Sequence, residues 1–376
     1  MLSSFHNRLL TDRGIKDAEA QNMLRIDPKV NSKQRQPASI DLKFKRIDDA
    51  EAVNGAFKSY DSYRYNSALF PGYETTVNTQ SSIMFDNILK PFVELRSSMR
   101  RLGCYLPIPA MQAGDGWGPL GFGNYNIALD IVNHSTIPIK LHRGDRIAQL
   151  MVFFNSFSRE DLDNKNILLN PNLSKDDYKM HLELDHGYDV LSQGEIRVLS
   201  SKGYFKVEPE LSMRKGLIKV RAGKTARIIT RSEPVVFSKR PKFSELCTEV
   251  ELPYRLKPGE FIDVDAAESM DLSRNIGITF HSEYLFTNFL ASKKKIEIGA
   301  ADHKLALKWD GWIDPGYKGP FSRQPKTYFK AGKLIKPGDV LGYGRIYYFP
   351  AGVERMYGHS GLYSQYQGGT DLPEVK

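Results

Sequence analysis

The stretch Arg96-Ser97-Ser98-Met99-Arg100-Arg101-Leu102-Gly103 decides the reading of this chain. It works together with a second stretch more than 200 residues later, Gly311-Trp312-Ile313-Asp314-Pro315-Gly316-Tyr317-Lys318-Gly319. The first offers a forked guanidinium and two hydroxyls within three residues, with a further cation at Arg101. A guanidinium grips phosphate oxygens in pairs, and hydroxyls and turn amides add donors. The second sets one carboxylate, Asp314, between an apolar residue and Pro-Gly, which holds its backbone in a tight turn. Singly, neither is specific. A Ser at a helix start is commonly an N-cap, and Asp-Pro-Gly-Tyr makes an ordinary type I or II turn. The residues around them add the weight.

Working outward, each stretch sits within one copy of a weak repeat. Leu69-Phe70-Pro71-Gly72-Tyr73-Glu74 recurs as Leu256-Lys257-Pro258-Gly259-Glu260-Phe261. Leu141-His142-Arg143-Gly144-Asp145-Arg146-Ile147-Ala148-Gln149-Leu150 recurs as Ile335-Lys336-Pro337-Gly338-Asp339-Val340-Leu341-Gly342-Tyr343-Gly344. Gly72 and Gly144 are 72 residues apart, and Gly259 and Gly338 are 79 apart. The matched order and spacing imply duplication. The boundary is expected after the polar stretch Asn164 to Gly194, near residue 200, giving domains 1–200 and 201–376.

Length and composition agree. A chain of 376 residues exceeds one typical domain. Hydrophobic residues at 41% and charged residues at 26% describe an ordinary globular protein. No apolar run approaches the roughly 20 residues that span a bilayer. Met1 to Leu10 lacks a signal-peptide core, and Asp12, Asp17 and Glu19 argue against a transit peptide. Cys104 and Cys247 can form neither a disulfide framework nor a CxxC metal clip, so a reducing, cytoplasmic setting is expected. The net charge of +9 suits polyanionic ligands as well as a merely solvated, Lys-rich surface. No zinc-finger, RNP or helix-turn-helix signal points to nucleic acid.

Short apolar runs such as Tyr125 to Val132 and Gly344 to Phe349, punctuated by Gly, Pro, Asn and Asp, predict a mainly β protein with many short strands. Helices are expected at Leu10 to Leu24, capped by Thr11 or Asp12, and at Ser174 to Leu184.

At this point the chain resembles the dCTP deaminase and dUTPase superfamily. The likeness begins at Leu10-Thr11-Asp12-Arg13-Gly14-Ile15 and Gln36-Pro37-Ala38-Ser39-Ile40-Asp41-Leu42. It continues through Pro71-Gly72, Arg96 to Gly103 and Gly144 to Leu150. In the second half it covers Pro258 to Phe261, Gly311 to Gly319, Pro337-Gly338-Asp339 and the tail Tyr357 to Gly368. The resemblance implies two tandem dUTPase-like domains, each a distorted β-barrel or jelly roll with a few short helices. It also implies a trimer-like assembly and a deoxynucleoside triphosphate as ligand, with no membrane partner.

The halves depart from the family in complementary ways. Where the first should carry Ile-Asp-Pro-Gly it has Ala113 to Gly118. Where the second should carry Arg-Ser-Ser it has His281-Ser282-Glu283. The resemblance therefore implies one composite site. Arg96, Ser97, Ser98 and Gln149 would hold the phosphates. Ile313 and Tyr317 would hold the sugar, and Tyr366 and Gln367 in the tail would close over the nucleotide. Arg101, Asp314 and Asp130 would carry the chemistry. Asp130 stands where the first half's family glutamate is expected, whereas Gln324, ten residues after Asp314, cannot act as a base. An Asp within an apolar strand can serve as acid or base, pair with an Arg, or face solvent. The zinc-deaminase signature is absent, so no zinc and no protein-bound metal are expected. Mg²⁺ would arrive with the phosphates. The implied reaction is deamination of dCTP to dUTP, with or without diphosphate release to dUMP. The alternatives are dUTP hydrolysis and a non-catalytic nucleotide-binding or assembly protein.

Overall fold

The structure is a computed structural model. It describes residues 7–52, 68–85, 89–106, 125–155, 184–190, 192–214, 216–239, 241–257, 260–281, 309–323 and 334–359. The fold is mainly β, and its elements form two runs of similar order. The first is β1 (Asn7–Leu10), α1 (Asp12–Ala20), β2 (Leu24–Asp27), β3 (Arg35–Gln36), β4 (Ser39–Ala52), β5 (Ala68–Leu69), β6 (Tyr73–Phe85), β7 (Leu89–Leu95), α2 (Ser97–Arg101), β8 (Cys104–Tyr105), β9 (Tyr125–Asn133), β10 (Ile139–Lys140) and β11 (Arg146–Asn155). The second is β12 (His186–Asp189), α3 (Gln193–Ser201), β13 (Phe205–Glu208), β14 (Met213–Arg214), β15 (Leu217–Ile229), β16 (Val235–Val236), α4 (Phe243–Leu246), β17 (Cys247–Glu251), β18 (Tyr254–Arg255), β19 (Ile262–Leu272), β20 (Ile276–His281), β21 (Trp309–Ile313), β22 (Lys318–Arg323), β23 (Leu334–Ile335) and β24 (Val340–Tyr348). The second run opens at His186, ahead of the boundary expected near residue 200. No helix among the described residues is long and apolar enough to cross a membrane.

In each run one long strand passes from one sheet to another. β4 pairs with β11 through Ile40 to Lys43 and with β6 from Phe44 onward. β15 pairs with β24 through Ile218 to Arg221 and with β19 from Ala222 onward. Register shifts accompany both bends, which is how strands turn the corner of a sandwich. Among the described residues the pairings do not close into a barrel. The Gly-Asp turns before β11 and β24 are built alike. Asp145 Oδ2 accepts from the His142 N–H at 2.7 Å, and Asp339 Oδ2 accepts from the Lys336 N–H at 2.9 Å. Gly144 (φ 99°) and Gly338 (φ 83°) take the left-handed conformation that these turns need.

The runs meet along a seam. β1 pairs with β11 on one side and with β12 on the other, and β12 in turn pairs with β24, all antiparallel. One sheet is thus continuous through both halves. Leu9, Phe92, Met151 and Phe153 from the first run pack with Tyr347, Phe349 and Val353 from the second, and Trp312 lies against them. β10 and β16 add a parallel pairing, and His142 Nδ1 meets Ser238 Oγ at 2.7 Å.

α1 is capped by Thr11, whose hydroxyl accepts from the Gly14 N–H at 3.1 Å, but it ends at Ala20 rather than Leu24. Asn22 turns left-handed (φ 59°), and Leu24 and Ile26 alternate inward as strand β2. Of the helix expected at Ser174 to Leu184, residues 174–183 lie outside the described residues, and Leu184 is not helical.

Candidate active site

A cleft opens over the continuous sheet near the seam. Its first wall is built on β3, β4, β7 and β11. Asp41, Gln149 and Glu94 stand side by side on β4, β11 and β7. Asp41 is fully buried, and its Oδ2 accepts from Arg96 Nη1 at 2.6 Å, Arg146 Nη1 at 3.0 Å and Gln36 Nε2 at 3.2 Å. Asp41 therefore fixes the direction of the Arg96 guanidinium. Met99 anchors the short helix α2 in the core and Arg101 is buried beside it, while Ser97 stays exposed at the start. Arg100 Nη1 donates to Glu94 Oε1 at 3.0 Å.

The second wall is β21, the turn after it, and β22. Ile313 lies opposite Ile278 on β20. Trp312 Nε1 donates to Asp314 Oδ1 at 2.8 Å, which orients the carboxyl. The Tyr317 hydroxyl donates to the Pro320 carbonyl. Tyr317 packs edge-on against Tyr357 with ring centroids 5.7 Å apart. The Tyr357 N–H donates to the Pro315 carbonyl at 2.8 Å, laying the chain after β24 along this wall. Phe280 and Phe321 stack at 5.3 Å. This wall is therefore largely aromatic, whereas the first carries the guanidinium groups.

Arg96, Ser97, Arg101 and Gln149 from the first half line the same cavity as Ile313, Asp314 and Tyr317 from the second. Its volume is about 120 Å³, below the ~300 Å³ at which ligand pockets begin. The walls feel each other electrostatically. Burial pushes the Asp314 carboxyl up to about 7, opposed by the Trp312 hydrogen bond. Across the cleft, Asp41 and Glu94 raise it further and Arg96 lowers it. Burial also pushes the Tyr317 hydroxyl up to about 12, against the pull of Arg101.

Other expected residues fall elsewhere. Ser98 is half-buried on α2 and does not line the cavity. Asp130 is exposed on β9, opposite Thr76, whose hydroxyl donates to it at 2.8 Å. Its alternation on the strand points it to solvent, so the acid–base group expected there is outside this cleft. Tyr366, Gln367, Gln324, Ser282, Glu283 and the 113–118 stretch lie outside the described residues. Glu94, Phe280, Phe321 and Ser322, which also line the cavity, went unnoticed in the sequence, whereas Trp312 and Tyr357 lie in stretches singled out there without a role of their own. Glu94 and Trp312 each stand two residues before a residue singled out, Arg96 and Asp314. On alternating strands that spacing marks the same face. Among the described residues no group of three or more His, Cys, Asp or Glu could hold a metal ion.

Comparison with known proteins bears on this arrangement. The family model for dCTP deaminase-like proteins matches residues 9–155. A "dCTP deaminase, dUMP-forming" from Methanosphaera stadtmanae is 31% identical over 160 residues, covering 38% of this chain and 77% of that protein. One from Sulfurihydrogenibium sp. is 30% identical over 156 residues, covering 38% of this chain and 82% of that protein. These matches cover only part of this chain. The crystal structure of a 2′-deoxycytidine 5′-triphosphate deaminase from Agrobacterium tumefaciens superposes on 91% of this chain and 99% of its own, with a TM-score of 0.62 and 14% identity, so both runs of elements share its fold. On the strength of its first half's sequence, the chain belongs to the dCTP deaminase-like family.

Proposed function

We propose that the cleft binds a deoxypyrimidine nucleoside triphosphate and hydrolyses it, with dCTP deamination as the principal reaction. The observation that carries this reading is the single cavity lined by Arg96, Ser97 and Arg101 on one side and by Ile313, Asp314 and Tyr317 on the other. The guanidinium groups and the Ser97 hydroxyl would take the phosphates. The turn and the aromatic wall would take sugar and base. Asp314, held near neutrality, is suited to exchange a proton with water at pH 7. Deamination adds water at C4 of cytosine and expels ammonia. Release of diphosphate would yield dUMP, the product in the names of the two relatives above. Mg²⁺ would come with the nucleotide, its ligands chiefly phosphate oxygens. Both walls, as far as the described residues show, come from one chain.

A second reading, dUTP diphosphatase, is favoured by one observation: Asp130 lies outside the cleft. Attack of water on phosphorus asks chiefly for positioning and cationic charge. Incubation with dCTP or dUTP plus Mg²⁺, separating dUTP, dUMP and ammonia, tests both. Ammonia from dCTP is expected. Diphosphate release from dUTP without ammonia from dCTP selects the second reading. No product from either nucleotide contradicts both and leaves a non-catalytic binding protein.

A further inference from the structure

A second cavity lies apart from the cleft and shares no lining residue with it. It is bounded by α1, β2, Arg35 of β3 and residues Glu354 and Arg355, and its volume is about 760 Å³. That is ample for a nucleotide-sized ligand. Five cations line it, Lys16, Arg25, Lys29, Arg35 and Arg355, against three carboxylates, Glu19, Asp27 and Glu354. Two of the carboxylates are already engaged: Glu19 pairs with Arg35 and Glu354 with Lys16. Arg355 gives its terminal nitrogens to the Ser32 and Arg35 carbonyls at 3.1 and 3.0 Å, and its Nε pairs with the buried Asp12 at 3.7 Å, which leaves a surplus of one positive charge.

Three positive groups remain less fully used. The Arg35 side chain is 9% exposed, and its Nη1 is buried with no hydrogen-bond partner among the described residues. Arg25 and Lys29 are exposed and make no ion pair with a described residue. The third carboxylate, Asp27, shares the outward face of β2 with Arg25 and is flanked by the two cations. β2 pairs only with β6 among the described residues, and edge strands commonly carry charge to block further pairing. Edge protection explains charge on β2. It does not explain a guanidinium held buried beside it, or a cavity of this size with surplus positive charge.

We propose that this cavity is a second anion site, which takes a small polyphosphate, free or as part of a nucleotide. Arg25 and Lys29 would grip the phosphate oxygens, over the fixed charges of Arg35 and Lys16. Glu354 and Arg355 lie in the segment that also carries Tyr357 into the cleft, so the two sites share one stretch of backbone.

Calorimetric titration of the full chain with inorganic triphosphate at low ionic strength tests this. The Arg25→Ser/Lys29→Ser chain is expected to bind one triphosphate fewer than wild type, with affinity at the second site down at least about tenfold. Arg96→Ala, which disables the cleft, should keep that equivalent. A parallel titration with dCTP separates the sources: tighter binding than inorganic triphosphate at this site means a nucleotide ligand, equal or weaker binding a bare polyphosphate. Equal stoichiometry in wild type and the Arg25→Ser/Lys29→Ser chain overturns the proposal. So does loss of all triphosphate binding in Arg96→Ala. Because the two sites are disabled separately, failure here leaves the cleft reading standing, and failure of the cleft reading leaves this one standing.

Discussion

Asp314 is a carboxyl whose surroundings favour its neutral form. Its folded value lies above the ordinary carboxylate range, so the folded chain binds this proton more tightly than the unfolded one. The resulting stability is present at low pH and is lost as pH rises from about 4 towards 7. Asp314→Asn keeps an acceptor for Trp312 Nε1 and removes the charge. It should gain stability over wild type between pH 4 and pH 8, on the order of 1–2 kcal/mol because the side chain keeps a partial opening to the cleft. Thermal melts across that range check this, and a difference independent of pH contradicts it. Burial pushes the Asp41 carboxyl up as well, opposed by Arg96 and Arg146, the two guanidinium groups that share it. Asp41→Asn should cost about 3 kcal/mol in urea denaturation and weaken nucleotide binding, since Arg96 loses the partner that aims it. In sequence, Asp41 is marked only as part of the Gln36 to Leu42 stretch that carries the resemblance. Its bracing of Arg96 comes from pairing across β4 and β11, which local sequence does not display.

At the scale of elements, the turn between β21 and β22 and the chain after β24 act as a unit. Gly316 is left-handed (φ 90°), and a Cβ there would stand 2.6 Å from Met356 Cβ and 3.1 Å from the Tyr357 nitrogen. Gly316→Ala should therefore cost about 2 kcal/mol and lift Tyr357 away from Tyr317. Thermal melts and nucleotide titration should show both losses, and unchanged values in both would refute the packing. The elements that sequence reveals best are those whose signals are local. Tyr125 to Val132 lies within β9, and the Gly-Asp turns lead into β11 and β24 as expected. The end of α1 was hidden because Gln21 and Asn22 bring no glycine or proline to mark the break, and the alternation that follows in β2 runs for only four residues.

At the scale of the molecule, the seam between β1 and β12 decides what faces what. The sheet and the aromatic cluster that cross it make the halves mutually dependent, so unfolding should be one cooperative transition. Tryptophan fluorescence, dominated by the second half and the seam, and far-ultraviolet dichroism should report the same urea midpoint. Separate midpoints would mean that the halves are energetically independent. The two stretches that meet in the cleft were legible as residue types in sequence. The side chains that complete it, Glu94, Phe280 and Phe321, were not, because only the seam brings them together. The central claim is that both halves hold one nucleotide, and a crystal structure of the chain with a non-hydrolysable dCTP analogue tests it most directly. Phosphates are expected within hydrogen-bonding distance of Arg96 and Ser97, with the sugar against Asp314 and Tyr317 of the same chain. A nucleotide in the cleft that touches residues of only one half would contradict it.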